Sequence, residues 1–297
     1  MFDFRLKVFH TVARRLNFTK AAAELYITQP AVTKHIHELE HYFKVKLFDR
    51  SGSGIKLTPA GDILLHHTEE LFSIYRNLEF EMNSFSFKKK GKLRIGASTT
   101  VAQYVLPPLL ASFHKKFPDV EVILTSDNTE QIEKSLKNKA IDLGIVEGRL
   151  KNTSIKYSEF IKDEIILVSS VKNSFSKKEN ISSASLKNIP LLLREPGSGT
   201  LEVIAHSLKG IGIKIRDLKT EMQLASTESI KSYLRHCNCM AFLSIYSVLG
   251  ELQKNEFRIV DVKGLNIERY FYFIQLHGQS ESLPELFIKM ASGYNLR

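Results

Sequence analysis

A chain of 297 residues with 43% apolar and 25% charged side chains has room for two or three domains, each with a core of its own. No run of roughly 18 apolar residues occurs, and charges interrupt the N-terminal stretch MFDFRLKVFHTVARRL. Neither a membrane span nor a signal peptide is read, and a cytoplasmic protein is expected. The net charge of +10 is unevenly spread, with ten Lys/Arg against five Asp/Glu in residues 1–58 and 27 against 22 in residues 93–297. Such density near the N-terminus suits a phosphate-binding surface.

Phe4, Val8, Val12 and Leu16 keep helical spacing and predict a first, supporting helix. Asn17 can cap a second one, in which Ala21, Ala22 and Leu25 make a narrow face that permits close approach. Tyr26 and Ile27 are expected to fill a tight turn. Thr28 then caps a third helix, with Pro30 in its first turn where no amide partner is lost. Val32, Ile36 and Leu39 bury one face of that helix, leaving Gln29, Thr33, Lys34 and His37 on others. Two short helices joined by a tight turn have the shape that inserts a helix into the major groove of DNA. Gln reads adenine through two hydrogen bonds, while Lys and Thr suit phosphate or guanine. Capped ends and an apolar stripe also occur in any small helical hairpin. A rival reading therefore stands beside it: a small-molecule binding protein whose N-terminal helices only mediate assembly.

Lys46-Leu-Phe-Asp-Arg50 and Ile55-Lys-Leu57 flank Ser51-Gly-Ser-Gly54, which predicts a short hairpin, read as a wing over the phosphate backbone. Thr58-Pro59 opens a long helix to about Phe85, along which Leu64, Leu71, Leu78 and Phe85 recur every seven residues. Such a seam needs a partner, either a second copy or the chain's own second domain. Lys88-Lys-Lys-Gly-Lys92 reads as a solvated hinge.

Beyond Leu93, strands alternate with helices. Leu93–Ala97, Val120–Leu124, Ile141–Val146, Ile165–Val168, Pro190–Leu193, Met240–Leu243 and Tyr270–Ile274 look like short buried strands. Helices are expected near 101–117, 129–138 and from about 200. The alternation predicts mainly parallel α/β sheets in two subdomains around a cleft, with ligands near strand C-termini. Ser98-Thr99-Thr100 follows the first strand and opens a helix, where amides and hydroxyls suit a small anion; plain capping accounts for one of the three hydroxyls. Gly197-Ser-Gly-Thr200 makes a similar nest, and Thr129 and Ser226-Thr227 also begin helices. Glu147 ends a strand, either orienting a ligand amine or simply solvated. Arg194 either pairs a ligand carboxylate or makes a structural salt bridge.

Five motifs in one register carry a family resemblance: Phe18-Thr-x-Ala-Ala-x-x-Leu25, Gln29-Pro-Ala-Val-Thr-Lys34, Leu39-Glu40, Leu47-Phe-Asp-Arg50 and Leu57-Thr-Pro-Ala-Gly61. Together the chain resembles the LysR-type transcriptional regulators of bacteria. Arg194-Glu-Pro-Gly-Ser-Gly-Thr200 and Asp142-Leu-Gly-Ile-Val146 are most similar to the branch that regulates cysteine synthesis and carbon fixation. The resemblance implies an N-terminal all-α winged helix-turn-helix plus an α/β two-lobed effector domain resembling periplasmic binding proteins. Its expected limits are 1–58 for the DNA-binding domain, 59–91 for the linker and dimerisation helix with its hinge, and 92–297 for the effector domain. It implies that Gln29, Pro30, Thr33 and Lys34 meet bases or adjacent phosphates and that Thr19, Arg50 and Thr58 anchor phosphates. An effector, anionic in character, would contact Ser98, Thr99, Thr100, Thr129, Glu147, Arg194, Ser198, Thr200 and Thr227. Expected partners are double-stranded DNA, that effector, further copies in a homodimer or homotetramer, and RNA polymerase, with no membrane and no cofactor. Two departures stand out. Ser53 replaces a second wing arginine, and Cys237-Asn-Cys239 stands where relatives carry two glycines.

Other motifs point elsewhere and are set aside. His37-Glu-Leu-Glu-His41 satisfies the zinc-protease pattern, but Leu39 belongs to a buried stripe and no further histidine follows at the needed spacing. Gly197-Ser-Gly-Thr200 lacks the lysine of a phosphate-binding loop, so no catalytic or metal-binding residue is expected. A reducing cytosol would keep Cys237 and Cys239 as thiols, read either as small buried side chains or as a redox switch.

Overall fold

The computed structural model describes residues 3–49, 55–84, 90–148, 152–174, 180–277 and 282–294. The chain forms two compact units, Met1–Phe87 and Lys88–Arg297.

In the first unit, α1 (Phe4–Arg15), α2 (Phe18–Leu25) and α3 (Gln29–Phe43) pack around Val8, Phe9, Val12, Ala21, Val32, Ile36 and Leu39. Asn17 caps α2 by accepting from the Lys20 amide, and Thr28 caps α3 by accepting from the Ala31 amide. Leu16 ends α1 in the left-handed region instead of extending its buried face, and it is exposed along with Phe4. Tyr26 does not fill the turn after α2. It takes the left-handed cap position and is 95% exposed, while Ile27 alone packs inward. The wing is a pair of antiparallel strands, β1 (Phe48–Asp49) and β2 (Lys56–Leu57), with Phe48 opposite Leu57. Arg50 and Ser53 lie outside the described residues.

Helix α4 (Pro59–Ser84) starts from Thr58, whose hydroxyl donates to the Lys46 carbonyl and accepts from the Gly61 amide. A Cβ on Gly61 would stand 2.2 Å from the Leu47 carbonyl oxygen, so only glycine lets α4 pass this close to the wing. Leu64 belongs to the unit's own core, which shifts the outward apolar stripe from the expected seam. It runs through Ile63, Leu71, Ile74, Leu78 and Met82, all exposed. Phe85 lies outside the described residues, as do Lys88 and Lys89 of the lysine-rich stretch after it.

The second unit contains β3 (Gly91–Ser98), a π-type turn (Val101–Val105), α5 (Leu106–Lys116), β4 (Val120–Asp127), α6 (Thr129–Lys137), β5 (Leu143–Glu147) and β6 (Ile155–Ser170). It continues through β7 (Asn180–Ile181), α7 (Ser183–Leu186), β8 (Leu191–Arg194), α8 (Gly199–Gly210), β9 (Thr220–Leu224) and α9 (Thr227–Leu234). The last elements are β10 (Met240–Ser244), α10 (Ile245–Gln253), β11 (Phe257–Ile259), β12 (Asp261–Val262), β13 (Glu268–Leu276) and α11 (Ser282–Ser292). The strand order is β4-β3-β5-β13-β6-β10-β8-β9, with β11 also on β6.

Two lobes share the strand β6. Its first part pairs with β13, and its last residues pair with β10 and β11. The expected parallel pairing holds within each lobe, for β3 with β4 and β5 and for β8 with β9 and β10. It fails at the crossover, where β13 is antiparallel to β5 and β6, and β10 is antiparallel to β6. One lobe core gathers Ile132, Leu136, Ile141, Val146 and Ile274, and the other Leu167, Leu191, Leu193, Ile204, Leu208 and Phe242. The expectation of two free thiols is corrected: Cys237 and Cys239 are joined in a disulfide across Asn238, which closes the turn between α9 and β10. Small, adjacent sulfur-bearing side chains on one tight turn are within bonding reach, which compartment alone does not reveal.

Candidate functional site

On the first unit, Thr19, Gln29, Pro30 and Lys34 are exposed and Thr33 is half-buried. Gln29 Nε2 donates to Thr33 Oγ1 at 3.0 Å, one turn along α3, so the amide is held against the helix rather than free to wander. Glu40 anchors the far end of α3 to the wing, taking the Leu47 amide at 2.9 Å and Lys46 Nζ at 3.1 Å. Burial works against its charge, but those donors outweigh it and hold the carboxyl below the usual range. The zinc-protease pattern dissolves into helix-surface pairs: Glu38 lies beside Lys34 and His35, and His37 beside Glu40. His66, His67 and Glu70 have ligand atoms within 4.8 Å of one another, but both histidines are exposed on α4.

In the second unit, the polar strand ends of the two lobes meet at the crossover. Thr200 Oγ1 donates to Glu147 Oε1 at 2.9 Å and accepts from Arg269 Nη1 at 2.8 Å. Arg269 Nε donates to Asp163 Oδ2 at 2.7 Å, and Ser244 Oγ donates to the other Asp163 oxygen at 2.7 Å. Burial pushes the Asp163 carboxyl above its ordinary value, and Arg269 and Ser244 only partly offset that. Thr129 donates to the Glu147 carbonyl, while the Glu130 amide donates to the Gly197 carbonyl. Asn128, Ser198 and Ser226 do the helix capping, which frees Thr129 and Thr200 for these contacts.

Ser98, Thr100, Thr129, Glu147, Ser198, Thr200 and Thr227 are all buried, and Thr99 is half-buried. Glu147 is therefore not simply solvated. Arg194 is buried and its guanidinium is held by Glu195 through bonds of 2.8 and 3.0 Å. A second cross-lobe contact joins Tyr104 to Glu228, with Lys231 2.9 Å from Glu228 and 5.0 Å from the Tyr104 ring. Burial pushes the Tyr104 phenol well above its usual range, and the bond to Glu228 adds to that. Among the described residues of the second unit, Ser98 Oγ, Thr99 Oγ1, Glu147 Oε2 and Arg269 Nη2 are enclosed without a hydrogen-bond partner. Native interiors leave few such groups, so four at one end of the neighbouring strands β3, β5 and β13 suit a ligand.

Comparison with known proteins settles the family. Residues 4–62 match the model of the bacterial regulatory helix-turn-helix protein, lysR family, and residues 88–291 match the LysR substrate binding domain. The chain belongs to the LysR family. It is 30% identical to the transcriptional regulator CysL of Bacillus subtilis, over 91% of this chain and 89% of CysL. It is also 30% identical to a probable RuBisCO transcriptional regulator of Cyanidium caldarium, over 94% of this chain and 89% of that protein. The regulatory domain of CcmR from Synechocystis PCC6803, solved in complex with 2-PG, superimposes with a TM-score of 0.62 at 26% identity. That match covers 68% of this chain and 95% of the CcmR domain.

As a LysR-type protein the chain is a DNA-binding transcriptional regulator with a small-molecule effector domain, not an enzyme. Among the described residues no helix is long and apolar enough to cross a membrane. Sequence reading missed Arg269, Asp163, Ser244, Tyr104 and Lys231. Arg269 and Asp163 stand among other charged residues, in Glu268-Arg269 and Lys162-Asp163-Glu164, and no motif marks them as buried. Gly199 packs where a Cβ would lie 2.0 Å from the Glu147 carbonyl oxygen. Gly199→Ala is expected to force the lobes apart and destabilise the protein by about 1–3 kcal/mol. Calorimetry checks this, and an unchanged melting midpoint would refute the close approach.

Proposed function

We propose that this LysR-type regulator reads its operator through the first turn of α3 and responds to an effector held between the lobes of its second unit. The observation that carries the DNA reading is the division of α3: Val32, Ile36 and Leu39 are buried while Gln29, Pro30 and Lys34 face outward. Gln29 contacts a base edge, and Thr33, Lys34 and Pro30 lie against neighbouring bases or phosphates. Thr19, Thr58 and Arg50 anchor phosphates, with the hydroxyl of Thr58 also capping α4.

Gln29→Ala is expected to lose about 1–3 kcal/mol of operator affinity while leaving weak, non-specific binding in place. Fluorescence anisotropy at fixed salt measures both. Equal affinity of variant and parent for the operator would sink the assignment. A protein of the rival kind, whose N-terminal helices only mediate assembly, would not lose duplex affinity steeply between about 50 and 200 mM salt.

The effector site comprises Ser98, Thr99, Thr100, Thr129, Glu147, Arg194, Ser198, Thr200 and Thr227, joined by Arg269. What supports it is the group of enclosed, unpartnered polar atoms there. The exposed stripe of α4 pairs two copies, and pairs of dimers form a tetramer. The regulator works in the cytoplasm and meets RNA polymerase at its promoters.

A further inference from the structure

The unpartnered atoms of the cleft are not all of one kind. Ser98 Oγ and Thr99 Oγ1 belong to hydroxyls and Arg269 Nη2 is a donor, whereas Glu147 Oε2 is a carboxylate oxygen and only accepts. Ser98, Glu147 and Arg269 are 1%, 2% and 6% exposed, so water does not satisfy them freely. A ligand that completes this site must offer an acceptor to the guanidinium and a donor to Glu147, while the hydroxyls can donate to its acceptors. A simple anion leaves the last requirement unmet.

Charge argues the same way. Glu147 and Asp163 share one guanidinium: Arg269 Nε lies 2.7 Å from Asp163, and Nη1 lies 3.6 Å from Glu147. That guanidinium is engaged by Asp163 Oδ2 and Glu147 Oε1, which leaves Glu147 Oε2 for a donor from outside the protein. Spacing adds a size limit. Strands β3 and β5 are parallel neighbours with Ala97 opposite Ile145, so Thr99 comes level with Glu147 at the C-terminal ends of the two strands. Neighbouring strands lie about 4.8 Å apart. Groups bound at the two ends are then separated by one or two carbons.

We propose that the effector is a small zwitterion, an α- or β-amino acid, with its carboxylate at Ser98, Thr99 and the amides opening the helix after β3, and its ammonium on Glu147 Oε2. Arg269 Nη2 is left for an acceptor on the ligand's side chain. This inference rests on the cleft reading above.

The test is thermal shift and calorimetric titration of the full-length protein with the standard α-amino acids and β-alanine. Each is matched to the acid that lacks the amino group. At least one amino acid is expected to raise the melting midpoint at about 10 mM, and its deaminated partner to bind at least tenfold more weakly. Glu147→Gln keeps the oxygen that accepts from Thr200 but removes the charge, and should abolish that preference. Ser98→Ala should weaken the same amino acid. Equal binding of amino acids and deaminated acids, with Ser98→Ala weakening both, would overturn the zwitterion and leave the cleft in place. Binding indifferent to Ser98→Ala and Glu147→Gln alike would overturn the cleft as well. If no amino acid raises the midpoint, the proposal fails. Should Glu147→Gln not fold, the matched pairs and Ser98→Ala still decide.

Discussion

Leu71→Asp is expected to turn an oligomer into monomers and to abolish binding to an operator with two half-sites. Leu71 is 45% exposed in the single chain and sits in the middle of the stripe formed with Ile63, Ile74, Leu78 and Met82. A helix face of this kind is stable in water only when another surface covers it. Burying a leucine contributes about 1.5–3 kcal/mol, and a two-fold interface contains the site twice. The substitution therefore removes about 3–6 kcal/mol, or roughly two to four decades of dimer affinity, before the cost of enclosing a carboxylate is added. Because Leu71 is outside the core of its own unit, the fold should survive, with an unchanged circular dichroism spectrum. Sedimentation velocity reads the outcome. A variant that stays as large as the parent would mean the stripe is covered by something other than a second copy.

That stripe also marks how far sequence reasoning reached. The seven-residue recurrence of Leu64, Leu71 and Leu78 located a helix with an unpartnered face. Periodicity along one helix does not tell which apolar residue turns inward, and Leu64 went to the local core while Ile63 and Ile74 turned out. Capping was legible at Asn17 and Thr28 because it is decided within three residues. Tyr26 was not, since the left-handed cap points an aromatic ring into solvent where an apolar side chain was expected inside.

In the second unit, continuous apolar runs gave β3, β5, β8 and β10. Only the second half of β6 was legible, because its first half mixes charged with apolar residues, and β9 is largely exposed with only Met222 and Leu224 apolar. The cleft followed the same logic. Hydroxyls that open helices were visible from local spacing, but the crossover ion pairs join distant residues, such as Arg269 and Asp163, 106 positions apart. Long-range charge pairing leaves no periodic trace.

Arg269→Met tests that pairing, and a large loss of stability is expected. The guanidinium is the shared partner of Asp163, Thr200 and Glu147, all of them buried. Methionine fills similar volume but leaves two carboxylates enclosed without a counter-charge, a defect that costs about 3–5 kcal/mol. The loss should depend on pH. Burial already raises the Asp163 carboxyl in the folded protein, and Arg269 is the foremost group restraining it. A raised carboxyl favours the folded state fully below its unfolded value of about 3.9. That contribution is lost as pH rises through the folded value. Without Arg269 the folded value climbs further, so the variant's deficit should be greatest near neutrality and shrink toward pH 5. Urea unfolding of variant and parent at both pH values measures the difference between them, which cancels carboxylates common to both. A deficit equal at the two pH values would place the cost in lost packing instead of unpaired charge. Asp163→Asn in the Arg269→Met background separates the two acids, since it removes one enclosed charge and leaves Glu147. Partial recovery at neutral pH is expected, and none at all would mean that Glu147 alone carries the penalty.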